Sequence, residues 1–312
     1  MPKKFAILTL CFYGTRTLDR MLLNTGAYVD KIYLSHSPLP WLNVATGLRP
    51  DQKSDFDPEV VPNLPYAEKI HFLTGIWDSE EAQRQHAMDQ ARIDGIDYLI
   101  IQDADEFYSV DEFSKNLGGI ALNPNFPAYT CPWTVFWKSK DYVIEMRSSS
   151  DGSPTTVAKC PNFAVNVNWP GIRFTKARLV NEINRAFKLD GLCLHFAWVL
   201  SDEEVTVKVS TWAHSHQFNV KKWLQHKWFG WQPQTRSIGH ITRYNYLRAV
   251  RFTGSLPLEA ASIPTPDQNY RRLNSFARVE SACLDALSML RTLLSETKHE
   301  FSARISGKGK RP

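Results

Sequence analysis

The stretch Gly95–Tyr108, GIDYLIIQDADEFY, narrows the possible folds more than any other part of the chain. Its apolar run, Tyr98-Leu99-Ile100-Ile101, does not alternate with polar residues and is followed by Asp103, Asp105 and Glu106. An unbroken run of that length reads as a strand buried on both faces, as in a mostly parallel sheet covered by helices. Ligands of such sheets bind just beyond the carboxyl ends of the strands. Asp103 and Asp105 are two residues apart, so an extended backbone puts both carboxylates on one side. Two hard oxygen donors there suit Mg²⁺ or Mn²⁺ that also holds a diphosphate. A solvated acidic turn is the ordinary alternative.

The segments before it supply the rest of an α/β unit. Phe5–Cys11 reads as a first buried strand, followed by a helix through Asn24 capped by Thr15 or Thr17. Lys31–Ser35 is a second strand, and the Pro-rich stretch Pro38–Pro65 a long loop on the ligand-binding rim. Lys69–Gly75 is a third strand. A helix capped by Asp78 or Ser79, with acids in its first turn, then ends at Gly95. Beyond the acidic stretch, Ala128–Lys138, Tyr142–Met146 and Gly191–Val199 read as strands, the last carrying His195. Helices are expected at Asp202–Ser210, Val220–Trp228, Arg243–Arg251 and Asn274–Thr297, with apolar residues at helical spacing in the last.

With 312 residues, 43% of them hydrophobic, the chain can bury one large core with an appended helical part. The five cysteines are widely spaced and form no CxxC, which indicates reduced core thiols and a reducing compartment. No segment approaches the roughly 18 apolar residues of a membrane span. The opening MPKKFAILTLCFYG has no small-residue cleavage site after its short apolar run, so it reads as a strand. A cytoplasmic enzyme is expected, with peripheral membrane contact left open. The tryptophans between Trp212 and Trp231 suit sugar stacking or, more commonly, a core.

Two blocks carry a family resemblance. WDSEEAQRQHAMDQARIDGIDYLIIQDADEFY resembles the nucleotide-sugar-binding half of GT-A-fold glycosyltransferases, whose DxD-type motif ends a strand. LHFAWVLSDEEVTVKVSTWAHSHQFN resembles an HF-plus-helix block found in family-two-like transferases and in relatives of the bisecting N-acetylglucosaminyltransferases. Together they cover about a fifth of the chain. The resemblance implies an α/β, GT-A (Rossmann-like) fold with a mostly parallel central sheet flanked by helices and a C-terminal helical extension. It places the nucleotide-sugar-binding and catalytic core in 1–200, the helical part in 201–300 and a basic tail in 301–312.

It further implies a glycosyltransferase that moves sugar from a nucleotide-diphosphate sugar to a glycan or other hydroxyl acceptor, with Mn²⁺ or Mg²⁺. Asp105 and His195 would be metal ligands, with Asp103 on the metal or the ribose. Thr9, Cys11, Arg84 and Lys208 would face the nucleotide, and Glu106 would orient its neighbours or touch the donor sugar. The metal neutralises the diphosphate leaving group, and inversion requires a carboxylate base. Glu182 and Asp190 are the candidates, ahead of Glu145 and Asp141; His214 and His216 could contact donor or acceptor. The base-recognition signatures usual after the first two strands are missing. Two other classes remain. One is a phosphatase-like hydrolase with Asp103 as nucleophile, although that chemistry usually places its motif on the first strand. The other is a non-catalytic polyanion- or glycan-binding protein, although no nucleic-acid motif is present and nucleic acid is not expected as a partner.

Overall fold

The computed structural model describes residues 2–41, 53–148, 153–159, 162–211, 219–233, 238, 246–266, 275–276, 278–280, 282–283 and 286. Strands β1 (Phe5–Cys11), β2 (Lys31–His36), β3 (Ile70–Thr74) and β4 (Tyr98–Ile101) form the parallel block β3-β2-β1-β4. Helix α1 (Leu18–Thr25) joins β1 to β2, and α2 (Glu80–Ile93) joins β3 to β4. Alternate residues of one strand serve opposite layers. Ile7 and Ile100 pack with Met21 and Leu22 of α1, whereas Ala6, Leu8, Leu99 and Ile101 pack with Ala87, Met88 and Ala91 of α2. Both faces are covered, which accounts for the continuous apolar runs.

After β5 (Glu106–Phe107) and α3 (Val110–Leu122), the chain moves between two sheets. Strand β6 (Ala128–Thr130) joins the first sheet, and β7 (Pro132–Trp137) and β8 (Ser139–Arg147) join the second. The single expected strand Ala128–Lys138 is therefore two, divided at Cys131. Short strands β9 (Pro154–Thr155) and β10 (Ala158–Lys159) edge the second sheet. Strand β11 (Ala164–Asn166) pairs antiparallel with β4 and β6. A hairpin, β12 (Phe174–Lys176) and β13 (Leu179–Val180), follows, then β14 (Phe187–Lys188) beside β6. Strand β15 (Cys193–Trp198) lies between β7 and β5.

Helix α4 (Asp202–Thr211) starts in a capping box: Ser201 Oγ accepts from Glu204 N, and Glu204 Oε2 accepts from Ser201 N. The expected helix Val220–Trp228 divides into α5 (Val220–Trp223) and a π-helical segment Leu224–Phe229. Of the expected helix Arg243–Arg251, the described residues form strand β16 (Tyr246–Arg251), antiparallel to β8. Its neighbouring residues serve opposite faces, Ala249 packing with the second sheet's core and Val250 against the first, and Arg248 bonds Glu145 at 2.8 Å. Helix α6 (Leu258–Ala261) packs on α1. Most of the expected final helix 274–297 lies outside the described residues. No helix of the described residues is long and apolar enough to cross a membrane.

Neither Thr15 nor Thr17 caps α1 with its side chain; Thr17 Oγ1 donates to Ala104 O instead. Ser79 caps α2 as expected, accepting from Ala82 N, and Gly95 ends it at φ +69°.

His36, at the end of β2, is buried between Phe56 and Phe72 with neither ring nitrogen hydrogen-bonded among the described residues. Burial pushes its imidazole below the ordinary histidine value. The unfolded chain therefore takes up this proton first as pH falls, and stability declines below about pH 6.5. His36→Phe keeps the ring stack and removes that proton, so the drop in melting temperature between pH 7.5 and 5.5 should shrink. An unchanged drop would assign the acid sensitivity to other groups.

Candidate active site at the acidic turn

The four strands β1 to β4 end on one rim, at Cys11, His36, Thr74 and Ile101. The acids follow β4 on a tight turn, not an extended segment, because Glu106 N donates to Asp103 O at 3.0 Å. The turn sends the two aspartates to different partners. Asp103 Oδ1 accepts from Arg84 Nη2 and Oδ2 from Arg178 Nη1, both at 3.3 Å. Asp105 Oδ1 lies 3.3 Å from His195 Nε2. The backbone adds to this, with Phe196 N donating to Asp105 O at 2.8 Å. His195 pairs in register with Glu106, and its ring stacks on Trp133 with centroids 4.6 Å apart.

Arg84 reaches the turn from α2 and is held by Glu80 at 2.8 Å; its side chain is buried, so it is no solvated helix face. Arg178 had no signal in the sequence. It belongs to FTKARLV, a charged segment like many surface hairpins, 72 residues beyond Glu106. The turn between β12 and β13, with Ala177 at φ +46°, brings it inward. There Arg178 Nη1 donates to Glu106 Oε1 at 2.6 Å, and Nη2 donates to Ile101 O at 2.7 Å and Asn162 O at 3.1 Å. Glu106 is 0% exposed.

Lys208, on α4, donates to Ala197 O at 2.7 Å and lies over the Trp198 ring. Burial lowers its pKa, while Asp105 and Asp103 pull the other way. Thr9 and Cys11 are fully buried. Thr9 Oγ1 donates to Gln102 O at 2.9 Å, tying β1 to the start of the turn, and Cys11 lies in the core. Both side chains support the rim from within. Glu182 is half-buried and pairs with Arg185 at 3.4 Å; Asp190 is exposed. Among the described residues, no hydrogen bond or ion pair joins either to the acidic turn. His214 and His216 lie outside the described residues. Trp223, Trp228 and Trp231 pack with Trp137 in the second sheet's core, so they stack on neighbouring rings and not on a ligand.

The charges sort the carboxylates. Burial pushes Asp103 upward, but Arg178 and then Arg84 outweigh it and hold the group below the ordinary range. At Asp105, burial is outweighed by the charge and hydrogen bond of His195, and the group is likewise lowered. His195 is raised: burial favours its neutral form, but Asp105 prevails. Burial pushes the Glu106 carboxyl up against the pull of Arg178.

The donor set of Asp105 and His195 would suit Mn²⁺ better than Mg²⁺, because a carboxylate oxygen and an imidazole nitrogen this close could share one cation and Mg²⁺ prefers oxygen donors alone. His195 Nδ1 is buried with no partner among the described residues. No group of three or more His, Cys, Asp and Glu that could enclose a metal occurs among the described residues. The protein would thus give two ligands and leave the remaining positions to substrate oxygens and water. Both oxygens of Asp103 are engaged by arginines.

Neither a protein-family model nor a curated protein sequence matches this chain. Among solved structures it is similar to a 4-diphosphocytidyl-2C-methyl-D-erythritol synthase, at 9% identity over 61% of this chain and 90% of that one, TM-score 0.37. A protein of Desulfovibrio desulfuricans described as a nucleotide-diphospho-sugar transferase matches at 12% identity, covering 66% and 86%, TM-score 0.35. S. aureus TarS in complex with UDP matches at 9% identity, covering 73% and 71%, TM-score 0.36. These likenesses are distant.

Proposed function

We propose that the chain is a glycosyltransferase of GT-A type, using a nucleotide-diphosphate sugar and Mn²⁺ or Mg²⁺. The observation that supports this most is the Asp105–His195 pair on the rim where the parallel strands end, beside an Asp103 fixed by two arginines. The HFAW block and its following helix support the finer kinship to family-two-like and bisecting-type enzymes, with His195 and Lys208 as the matched positions.

Asp105 and His195 would hold a divalent cation, which when bound would supply charge neutralisation for the diphosphate leaving group. The chain's own residues do the rest. Arg84 and Arg178 fix Asp103 so that its carboxylate stays ionised and oriented toward a ribose. Lys208 adds positive charge beside the phosphates, held in place by Ala197 O. In an inverting reaction, Glu182 or Asp190 takes the acceptor proton. Glu182 follows β13, four residues beyond Arg178, and is half-buried where Asp190 is exposed, which makes it the stronger of the two.

A phosphatase-like role for Asp103 is poorly supported, because a nucleophile there would have to leave both guanidinium groups. A thermal-shift screen of UDP, GDP, ADP, CDP and their sugar conjugates tests the proposal. At least one should raise the melting temperature with Mn²⁺ present and lose that effect on chelation. No shift with any nucleotide plus Mn²⁺ overturns the reading.

A further inference from the structure

Three acids within four residues, Asp103, Asp105 and Glu106, would make a turn of charge −3. Clusters of hard oxygen donors of that kind take up divalent cations without help from a substrate. Here two of the three are withdrawn. Arg178 grips both Glu106 oxygens, at 2.6 and 3.3 Å, and shares Asp103 with Arg84. The same guanidinium is bonded to Ile101 O and Asn162 O, and Asn162 Nδ2 donates back to Arg178 O. Such a network is rigid, and it fixes which carboxylate remains available.

Resting on the function proposed above, we propose that Arg178 is a positioning residue that makes the acidic turn a one-carboxylate cation site, taking the cation together with a nucleotide diphosphate and not before it. Asp105 alone is left to join His195, and two protein ligands hold a cation weakly until diphosphate oxygens complete its shell. Cation and nucleotide are then coupled: each raises the affinity of the other by the same factor. Releasing Asp103 Oδ2 from Arg178, with Oδ1 still on Arg84, would add a third protein ligand, tighten the nucleotide-free cation and weaken that coupling.

The test is Mn²⁺ titration followed by electron paramagnetic resonance. It is run with Mn²⁺ alone and with the tightest-binding of UDP, GDP, ADP and CDP, on the full chain. The charge-balanced double variant Arg178→Gln/Glu106→Gln removes one charge of each sign, so a change in affinity cannot come from net charge. It should bind Mn²⁺ alone about tenfold more tightly than the parent, and nucleotide should then raise Mn²⁺ affinity less. Adding Asp103→Asn to that background should return the parent value. Unchanged Mn²⁺ affinity in a folded double variant overturns the inference and leaves the metal reading intact.

If the double variant does not fold, single changes decide. Asp103→Asn should shift Mn²⁺ affinity by less than about threefold, whereas Asp105→Asn should lose about 100-fold. Equal losses would place Asp103 in the coordination shell and overturn the inference. A parent protein that takes no Mn²⁺ with or without nucleotide overturns the proposed function as well.

Discussion

Asp105→Ala should abolish metal-dependent nucleotide binding, with affinity for the preferred nucleoside diphosphate in Mn²⁺ falling at least about 100-fold by calorimetry. Asp105 is the carboxylate of the turn that no arginine among the described residues holds, and it faces His195 at 3.3 Å. A unit charge about 4 Å from a cation contributes on the order of 4 kcal/mol near a protein surface, so even half of that is more than tenfold. His195→Ala removes a neutral ligand that water can replace, and should cost less, about tenfold.

The pH dependence has a definite sign. Asp105 raises His195 above its ordinary value, so the metal-free site keeps its proton to higher pH. A cation needs the neutral imidazole and must displace that proton. Metal affinity should therefore rise with pH through the raised histidine value and level off above it. Loss of binding in Lys208→Ala with full binding in Asp105→Ala would mean that the nucleotide is held by cationic side chains without a metal.

The second large effect concerns stability. Arg178→Ala leaves Glu106 fully buried without its cation, and removing one partner of a buried pair costs about 3–5 kcal/mol. Against a typical total of about 5–15 kcal/mol, this should lower the melting temperature by roughly 10 °C. Replacing both partners with apolar residues of similar volume, Arg178→Met/Glu106→Leu, should recover part of the loss, because neither charge then needs solvation while Ile101 O and Asn162 O still lose their donor. A single Arg178→Ala variant that melts with the parent would show that Glu106 is protonated or hydrated and that the pair contributes little.

Local signals in the sequence carried the first half of the fold. The unbroken runs of β1 and β4, the Ser79 cap and Gly95 each depend on near neighbours, and each marks an element the structure contains. Two kinds of information were not local. Arg243–Arg251 carries no decisive period by itself, and its described part, Tyr246–Arg251, is a strand because β8 pairs with it. Arg178 meets Glu106 only after the β12–β13 hairpin folds back, so neither residue's neighbours announce the other. Spacing alone also misled at the acids. Two aspartates two residues apart share a side only on an extended backbone, and the bond from Glu106 N to Asp103 O closes a turn there.

That turn has a consequence for how the sequence can vary. Strand β4 belongs to the first sheet and β5 to the second, so Gln102–Asp105 is a splice of fixed length between two registers. One added residue would leave β4 in place but exchange the two faces of β5. Glu106 would turn away from Arg178 and Asp105 away from His195 together. The spacing of the acids is thus dictated twice, by the ligand they would serve and by the two sheets they join, and a change tolerated by one requirement would still be rejected by the other.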